Sequence, residues 1–196
     1  MSVYFFPKER FDDLQLIPDY IVSRIWPRRY PELENALINF KNIANDIMFV
    51  YYKYPDGDGD GVGGYRTEKF YRRYYRENYR DQEKWSFEEE NRQLEKYKYH
   101  LALLEDLVLE LTRAANYICD FVREYIFEGF RLEEGVLLVM RGDFLSHQTF
   151  RVEYRGVERT DRPYPGLRRF MEIREERDFQ IGEGVEEDYF VKMPWE

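Results

Sequence analysis

One cysteine, two histidines and no long apolar run stand in this chain of 196 residues. A single Cys119 permits no internal disulfide, which fits a reducing compartment. His100 and His147 lie 47 positions apart, and neither belongs to an H-E-x-x-H pattern or a Cys/His cluster, so a histidine-based metal site is not expected. No stretch approaches the roughly 20 apolar residues of a membrane-spanning helix, and the N-terminus lacks the basic start and apolar core of a signal peptide. A cytoplasmic location with no membrane partner is therefore expected. Also missing are G-x-S-x-G, a phosphate-binding glycine loop ahead of a lysine, and G-x-G-x-x-G between a strand and a helix. Gly61-Val62-Gly63-Gly64 has no such context. Positive charge is in short supply as well: the net charge is −9, so attraction to nucleic acid or an anionic surface has to come from a local patch.

What the chain has in quantity is rings. Eighteen tyrosines, fifteen phenylalanines and three tryptophans make an aromatic share of 18%, and the hydrophobic share is 43%, too rich for intrinsic disorder despite 35% charged residues. The length suits one compact domain with a real core.

Helical periodicity organises most of it. The first 26 residues read as an aromatic lead-in with a short helix interrupted at Pro18, because a proline ring disrupts an established helical ladder. After Pro31, Leu33, Leu37, Phe40, Ala44, Ile47, Tyr51 and Tyr54 recur at spacings of four and three, which predicts a helix over 32–54. Six of the ten residues from Pro55 to Gly64 are Gly or Pro, so this is a loop. A basic helix follows, and then a long one from Phe87. Leu94, Tyr97, Leu101, Leu104, Val108, Leu111, Ala115, Ile118, Val122 and Tyr125 keep the three-four spacing for over thirty residues, and Gly129 closes the pattern.

Beyond it, Val136 to Met140 and Thr149 to Tyr154 predict a β-hairpin, and Tyr164-Pro165-Gly166 turns the chain into a last helix ending near Asp178. The expected fold class is mainly α: a helical bundle with long antiparallel helices at 11–128, and a small C-terminal β-hairpin and helix at 129–179. Together these form a single compact domain over 1–179, with an acidic tail at 180–196.

The densest chemistry lies in Tyr65 to Arg80. Arg66, Lys69, Arg73, Arg76 and Arg80 form one stripe of a helix, and Phe70, Tyr71, Tyr74, Tyr75 and Tyr79 another. Six cations against two anions give this segment a local +4, while residues 171–196 hold three cations and nine anions, a local −6. Cations interleaved with rings suit single-stranded nucleic acid, since Arg and Lys meet phosphate and rings stack on bases. The simpler reading has the rings covering a helical body and the cations solvated or facing a protein, and the acidic net charge favours it.

Asp56, Asp58 and Asp60, each followed by glycine, match the D-x-D-x-D-G opening of a calcium-binding loop, where alternate carboxylates converge on a hard cation. The segment resembles an EF-hand loop over six residues. It departs at position twelve, where Thr67 replaces the bidentate Glu and Glu68 comes one residue late, and at position eight, which is Gly63. A solvated Asp/Gly linker accounts for the same residues, and Ca²⁺ is the one cofactor with any sequence support.

Asp143 followed by Glu153-Tyr154-Arg155 resembles the acidic pair and cation of D…E-x-K metal-dependent nucleases, with Arg in place of Lys and no α/β frame around it. A turn Asp and a solvent-facing strand Glu explain it without catalysis. On the long helix, Thr112, Asn116, Asp120 and Arg123 form a polar line beside the apolar seam, spaced to hydrogen-bond in succession and to dock the C-terminal unit. Arg168, Arg169, Arg174 and Arg177 are candidate partners for it. Cys119 beside Ile118 reads as inert packing.

Without a nucleophile, metal cluster or cofactor cradle, and with abundant Tyr, Phe and Arg, the expected function is a non-catalytic adaptor or regulatory module. It would bind a protein partner through Lys69, Arg73, Arg76, Tyr71, Tyr75 and their neighbours or through the hairpin edge. The alternatives, in falling order, are a calcium-binding helix-loop-helix protein, a single-stranded nucleic-acid-binding protein and a metal-dependent nuclease.

Overall fold

The computed structural model describes residues 5–26, 28–54, 64–79, 84–141 and 148–177. The protein is mainly helical, and its chain divides into two compact units. One is built from Ser2–Arg24 and Ala44–Val108, the other from Ile25–Ile43 and the chain from Leu109 onward.

In the first unit, β1 (Phe5–Pro7) leads directly into α1 (Lys8–Ser23). Pro18 does not interrupt α1. It is buried on the same face as Phe11, Leu14 and Ile21, at helical spacings of three and four, so its ring packs in the core, and that packing offsets the lost ladder bond. Phe11 is fully buried, with its ring 5.3 Å from Tyr51 and 5.1 Å, edge-on, from Tyr52 of α2 (Pro31–Tyr52). Helix α2 begins where the sequence says it should. Pro31 has no N–H to leave unsatisfied in a first turn, and Glu32 and Glu34 sit at the positive end of the dipole.

Strand β2 (Gly64–Arg66) pairs antiparallel with β1, Phe6 opposite Tyr65. Nothing in the hydrophobic pattern announces this pair, and it corrects the reach of the basic helix. Arg66 belongs to a strand, and α3 runs only from Phe70 to Asn78. Thr67 is buried and its hydroxyl donates to the Tyr54 carbonyl at 3.4 Å, while the Glu68 N–H donates to the same carbonyl at 2.9 Å. Those two bonds hold the chain extended, and Lys69 precedes the helix with non-helical dihedrals, so the helix starts one residue later.

Helix α4 (Phe87–Tyr125) opens on a capping sequence: Ser86 precedes it, its Oγ accepts from the Glu89 N–H at 3.4 Å, and Glu88, Glu89 and Glu90 occupy the first turn. Arg123 lies in the last turn, where a cation suits the carbonyl end. Its buried seam is Tyr97, His100, Leu104, Leu107, Glu110, Ala114, Tyr117 and Phe121. The apolar pattern pointed instead to Leu101, Val108, Leu111, Ala115, Ile118 and Val122, which are only half-buried. The helix is therefore rotated by about one residue, roughly 100°, from its hydrophobic stripe. The same rotation marks the start of α2, where Ala36, Asn39 and Ile43 are buried rather than Leu37 and Phe40.

In the second unit, β3 (Leu138–Arg141) and β4 (Gln148–Arg151) pair antiparallel, with Val139 opposite Phe150. A single 3₁₀ turn (Gly156–Glu158) follows, then α5 (Leu167–Ile173). Gly166, just before α5, has φ 90°, a conformation open to glycine and strained for other residues. Helix α5 stops short of Arg174 and Arg177, which continue in turn conformation. Among the described residues no helix is long and apolar enough to cross a membrane.

Candidate functional site

Two places concentrate polar chemistry, one in each unit. The first is α3. It contributes no fully buried residue, yet it is amphipathic in its own way. Phe70 and Tyr71 lean on the body: Phe70 lies edge-on to Tyr54 at 4.8 Å and 6.2 Å from Tyr97, and Tyr71 sits 5.7 Å from Tyr97. Tyr74 is a clasp, its hydroxyl donating to the Lys84 carbonyl at 2.9 Å and accepting the Ser86 N–H at 3.0 Å. This fastens the turn that starts α4 to the side of α3.

Tyr75 and Tyr79 do something else. One helical turn apart, they stack on each other at 4.3 Å and remain 39% and 55% exposed. The hydrogen bond between their hydroxyls, followed by burial, holds the Tyr75 phenol above its ordinary value. Trp85 stands edge-on to Tyr79 at 6.2 Å and donates from Nε1 to Glu90 at 3.0 Å, and Phe87 beyond it is 65% exposed.

The cations divide into two sets. Arg73 is neutralised by Glu77 at 2.9 Å and Glu68 at 3.3 Å, and the Glu77 hydrogen bond leads in raising its pKa. Arg72 makes no ion pair among the described residues, and it falls with Tyr75, Arg76 and Tyr79 on one helical face. Lys69 precedes the helix, the Arg66 side chain is not described, and Arg80 lies outside the described residues. The structure thus brings Tyr75 and Arg76 together with Arg72, Tyr79 and Trp85, on a face apart from Arg73. The i,i+4 spacing of Tyr75 and Tyr79 was the signal in the sequence for their stacking.

The second place is a buried ionic cluster that the sequence did not flag. Glu110 (0% exposed) and Arg113 (1%) lie one turn apart on α4, among Asn39 (2%) from α2, Tyr154 (3%) after β4, Glu158 of the 3₁₀ turn, and Arg177. The Glu110 carboxylate accepts Arg177 through Nη2 at 2.7 Å and Nε at 3.2 Å, the Tyr154 hydroxyl at 2.8 Å, and Arg113 Nη1 at 3.4 Å. Arg113 also donates to both Glu158 oxygens and, through Nε, to the Glu153 carbonyl at 3.0 Å, while its plane lies 4.7 Å above the Tyr154 ring. Asn39 donates to the Tyr154 hydroxyl at 3.2 Å and accepts the Tyr164 N–H at 2.9 Å.

Two carboxylates and two guanidiniums balance in charge. Burial nevertheless pushes the Glu110 carboxyl up from its ordinary range, with Arg177 and Arg113 pulling it back, and burial likewise lowers the Arg113 pKa. Tyr154 is held well above its usual value by burial and then by the Glu110 charge. Every polar atom of Glu110, Arg113, Asn39 and Tyr154 that is buried has a partner, so the cluster is saturated. Its donors and acceptors are spent on fastening β4, the 3₁₀ turn and the Arg177 segment to α4 and α2.

The polar line on α4 runs along the edge of this cluster. Asn116 donates to the Leu137 carbonyl at 3.0 Å and the Val152 carbonyl at 2.9 Å, and accepts the Leu137 N–H at 2.8 Å. Asp120 takes Arg123 at 2.6 Å and Arg159 at 3.0 Å, and Arg123 reaches the Phe130 carbonyl at 3.4 Å. Thr112 is half-buried on the same helix. Arg177 goes to Glu110 instead of this line, and Arg169 pairs with its own neighbour Glu172.

The remaining candidates are quickly placed. Asp56, Asp58 and Asp60 lie outside the described residues, as do Asp143 and His147. Glu153 stands two residues beyond the end of β4, with its carboxylate against Arg151 at 3.0 Å and Arg155 at 3.7 Å. Among the described residues no three His, Cys, Asp or Glu side chains are grouped to hold a metal ion. Cys119 is half-buried, and burial raises its thiol above the ordinary value. Comparison of the chain with protein families, with curated proteins and with solved structures found no match.

Proposed function

We propose that the protein is a non-catalytic cytoplasmic binding module, an adaptor or regulator, whose docking surface is the outer face of α3. The observation that supports it most directly is the Tyr75–Tyr79 stack: two large rings held at the surface, flanked by Arg72 and Arg76, on a helix that contributes nothing fully buried to the core. Tyr and Arg are the residue types that carry binding energy when a partner covers them, because each adds large area or several donors at modest entropic cost. The partner that fits is a protein presenting acidic side chains beside an apolar segment: carboxylates for the guanidiniums and aliphatic groups for the ring faces. A finer architecture belongs to the same proposal, an antiparallel helical bundle with a C-terminal hairpin and helix.

Capture from lysate with the tagged chain tests the surface. The double change Arg72→Glu, Arg76→Glu reverses charge on the docking face without touching the core, so it should abolish retention of the partner while leaving the helical circular dichroism unchanged. Retention unaltered by the double change would reject α3 as the surface used. Retention only of salt-labile nucleic acid would transfer the reading to phosphate contacts, whose affinity falls steeply with salt.

A further inference from the structure

We propose that His100 is an acid-sensitive latch beneath α3: neutral, it completes the apolar seat that holds the helix, and protonated, it releases the helix from the body of its unit. His100 is 5% exposed, and its Nε2 has no hydrogen-bond partner among the described residues. A buried polar atom left without a partner is uncommon and costs stability. Its surroundings explain why it is tolerated only as the neutral ring. Tyr54 stands edge-on at 5.4 Å and Phe70, the first residue of α3, at 6.0 Å, with Tyr97 one turn earlier on its own helix touching both Phe70 and Tyr71.

The only charged group acting on the imidazole among the described residues is Lys53, at the end of α2, and it has the wrong sign to stabilise a proton. Glu68, next to the seat in sequence, gives its carboxylate to Arg73. Burial first, and Lys53 second, hold the His100 pKa down at about 4. The folded seat therefore prefers the neutral ring, and an opened seat, where the imidazole reaches water, regains the ordinary value near 6.5. Neutrality is present above pH 6.5 in both states. Below it, the open form binds a proton that the closed form refuses, and the preference for the closed form is lost as pH falls towards 4.

What gives way is α3, which the Tyr74 clasp ties to the turn before α4 but which rests on the body of the unit through the aromatic seat. Phe70 and Tyr71 lean on the seat, Thr67 hooks to the Tyr54 carbonyl, and no residue of the helix itself is fully buried. The switch acts on the docking helix of the proposed function and rests on that reading for its consequence, a partner shed on acidification. It can be read without any partner.

Amide hydrogen exchange of the full chain, corrected for the pH dependence of intrinsic exchange, reports opening of residues 67–78 from pH 7 to pH 4.5. In the unaltered chain the open population should rise about tenfold per pH unit below 6.5, reaching about 80-fold at pH 4.5. His100→Phe fills the seat with a ring that cannot titrate, and its α3 should show no rise. His100→Gln makes the same test with a polar neutral side chain if the phenylalanine variant does not fold. A flat profile in the unaltered chain, or an equal rise in either variant, overturns the latch. If neither variant folds, a proton resonance titration of the imidazole in a His147→Asn background decides: titration near 6.5 overturns it, and titration near 4 together with acid-induced release of α3 supports it. Partner capture at pH 7 tests the docking reading separately, so the two can fail independently.

Discussion

Replacing Arg177 by Met removes two charge-assisted bonds to the buried Glu110 carboxylate, at 2.7 and 3.2 Å, together with the 3.8 Å approach to Glu158. The methionine keeps most of the aliphatic volume, so the perturbation is largely electrostatic. What remains on Glu110 is the Tyr154 hydroxyl and the longer Arg113 contact at 3.4 Å. Stranding one member of a buried pair costs about 3–5 kcal/mol, because the remaining charge keeps its desolvation penalty and loses its compensation. Against a typical total of about 5–15 kcal/mol, that is about a fifth or more of the stability of the fold. Urea denaturation followed by circular dichroism should therefore show a large drop in midpoint with an unchanged slope. The double change Glu110→Gln, Arg177→Met removes both opposite charges, and it should cost less than the sum of the two single changes. A loss below about 0.5 kcal/mol for Arg177→Met, the range of an exposed pair, would refute the account of this cluster as the fastener of the C-terminal segment. So would strict additivity in the cycle.

Asn116→Leu leaves the Leu137 and Val152 carbonyls and the Leu137 N–H without their partner, and should cost about 3 kcal/mol by the same denaturation assay. Acid should destabilise the chain through His100: a pKa lowered from 6.5 to about 4 means that about 3 kcal/mol present above pH 6.5 is lost on the way down to pH 4. His100→Phe should flatten that part of the stability profile. Glu110 opposes this trend, since its raised pKa makes the protonated form the better fit, and stability from that group falls as pH rises from its ordinary value of 4.5 through its folded one. A Glu110→Gln comparison across pH 4 to 8 separates the two contributions.

How much of this was legible in the sequence differs from element to element. The starts of α2 and α4 are set by local chemistry: Pro31 with its acidic first turn, and Ser86 with Glu89, are signals that act within four residues, whereas α2 ends at Tyr52, two residues short of its periodic pattern. Helix α3 was visible as a pattern but not in its limits. A strand pair between residues 5–7 and 64–66 is set by partners some sixty positions apart, which no periodicity encodes. Pro18 misled for a related reason, since the cost of a proline in a helix is local while the burial that offsets it comes from elsewhere in the fold.

The buried ionic cluster was hidden by its own composition. An apolar template marks Leu111 and Ala115 and passes over Glu110 and Arg113, so this part of the buried face of α4 reads as solvent-facing. The partners Tyr154, Glu158 and Arg177 are 44, 45 and 67 positions from the α4 residues they bond, and their meeting is a product of the tertiary fold. The exposure of Tyr75 and Tyr79 was not legible either: the ring stripe reads as cover for the helical body, and only Phe70 and Tyr71 are seen to lean on it, while Tyr75 and Tyr79 stack at the surface.

The most direct test of α3 as a protein-docking surface is site-specific photocrosslinking. A photoreactive phenylalanine analogue is placed at Tyr75, at Tyr79 and, as a control, at Phe49, which is 58% exposed in the same unit. The account predicts that positions 75 and 79 label one and the same protein in native lysate at high salt, and that position 49 does not. Labelling of nucleic acid from 75 and 79, or labelling of the same protein from all three positions alike, would contradict it.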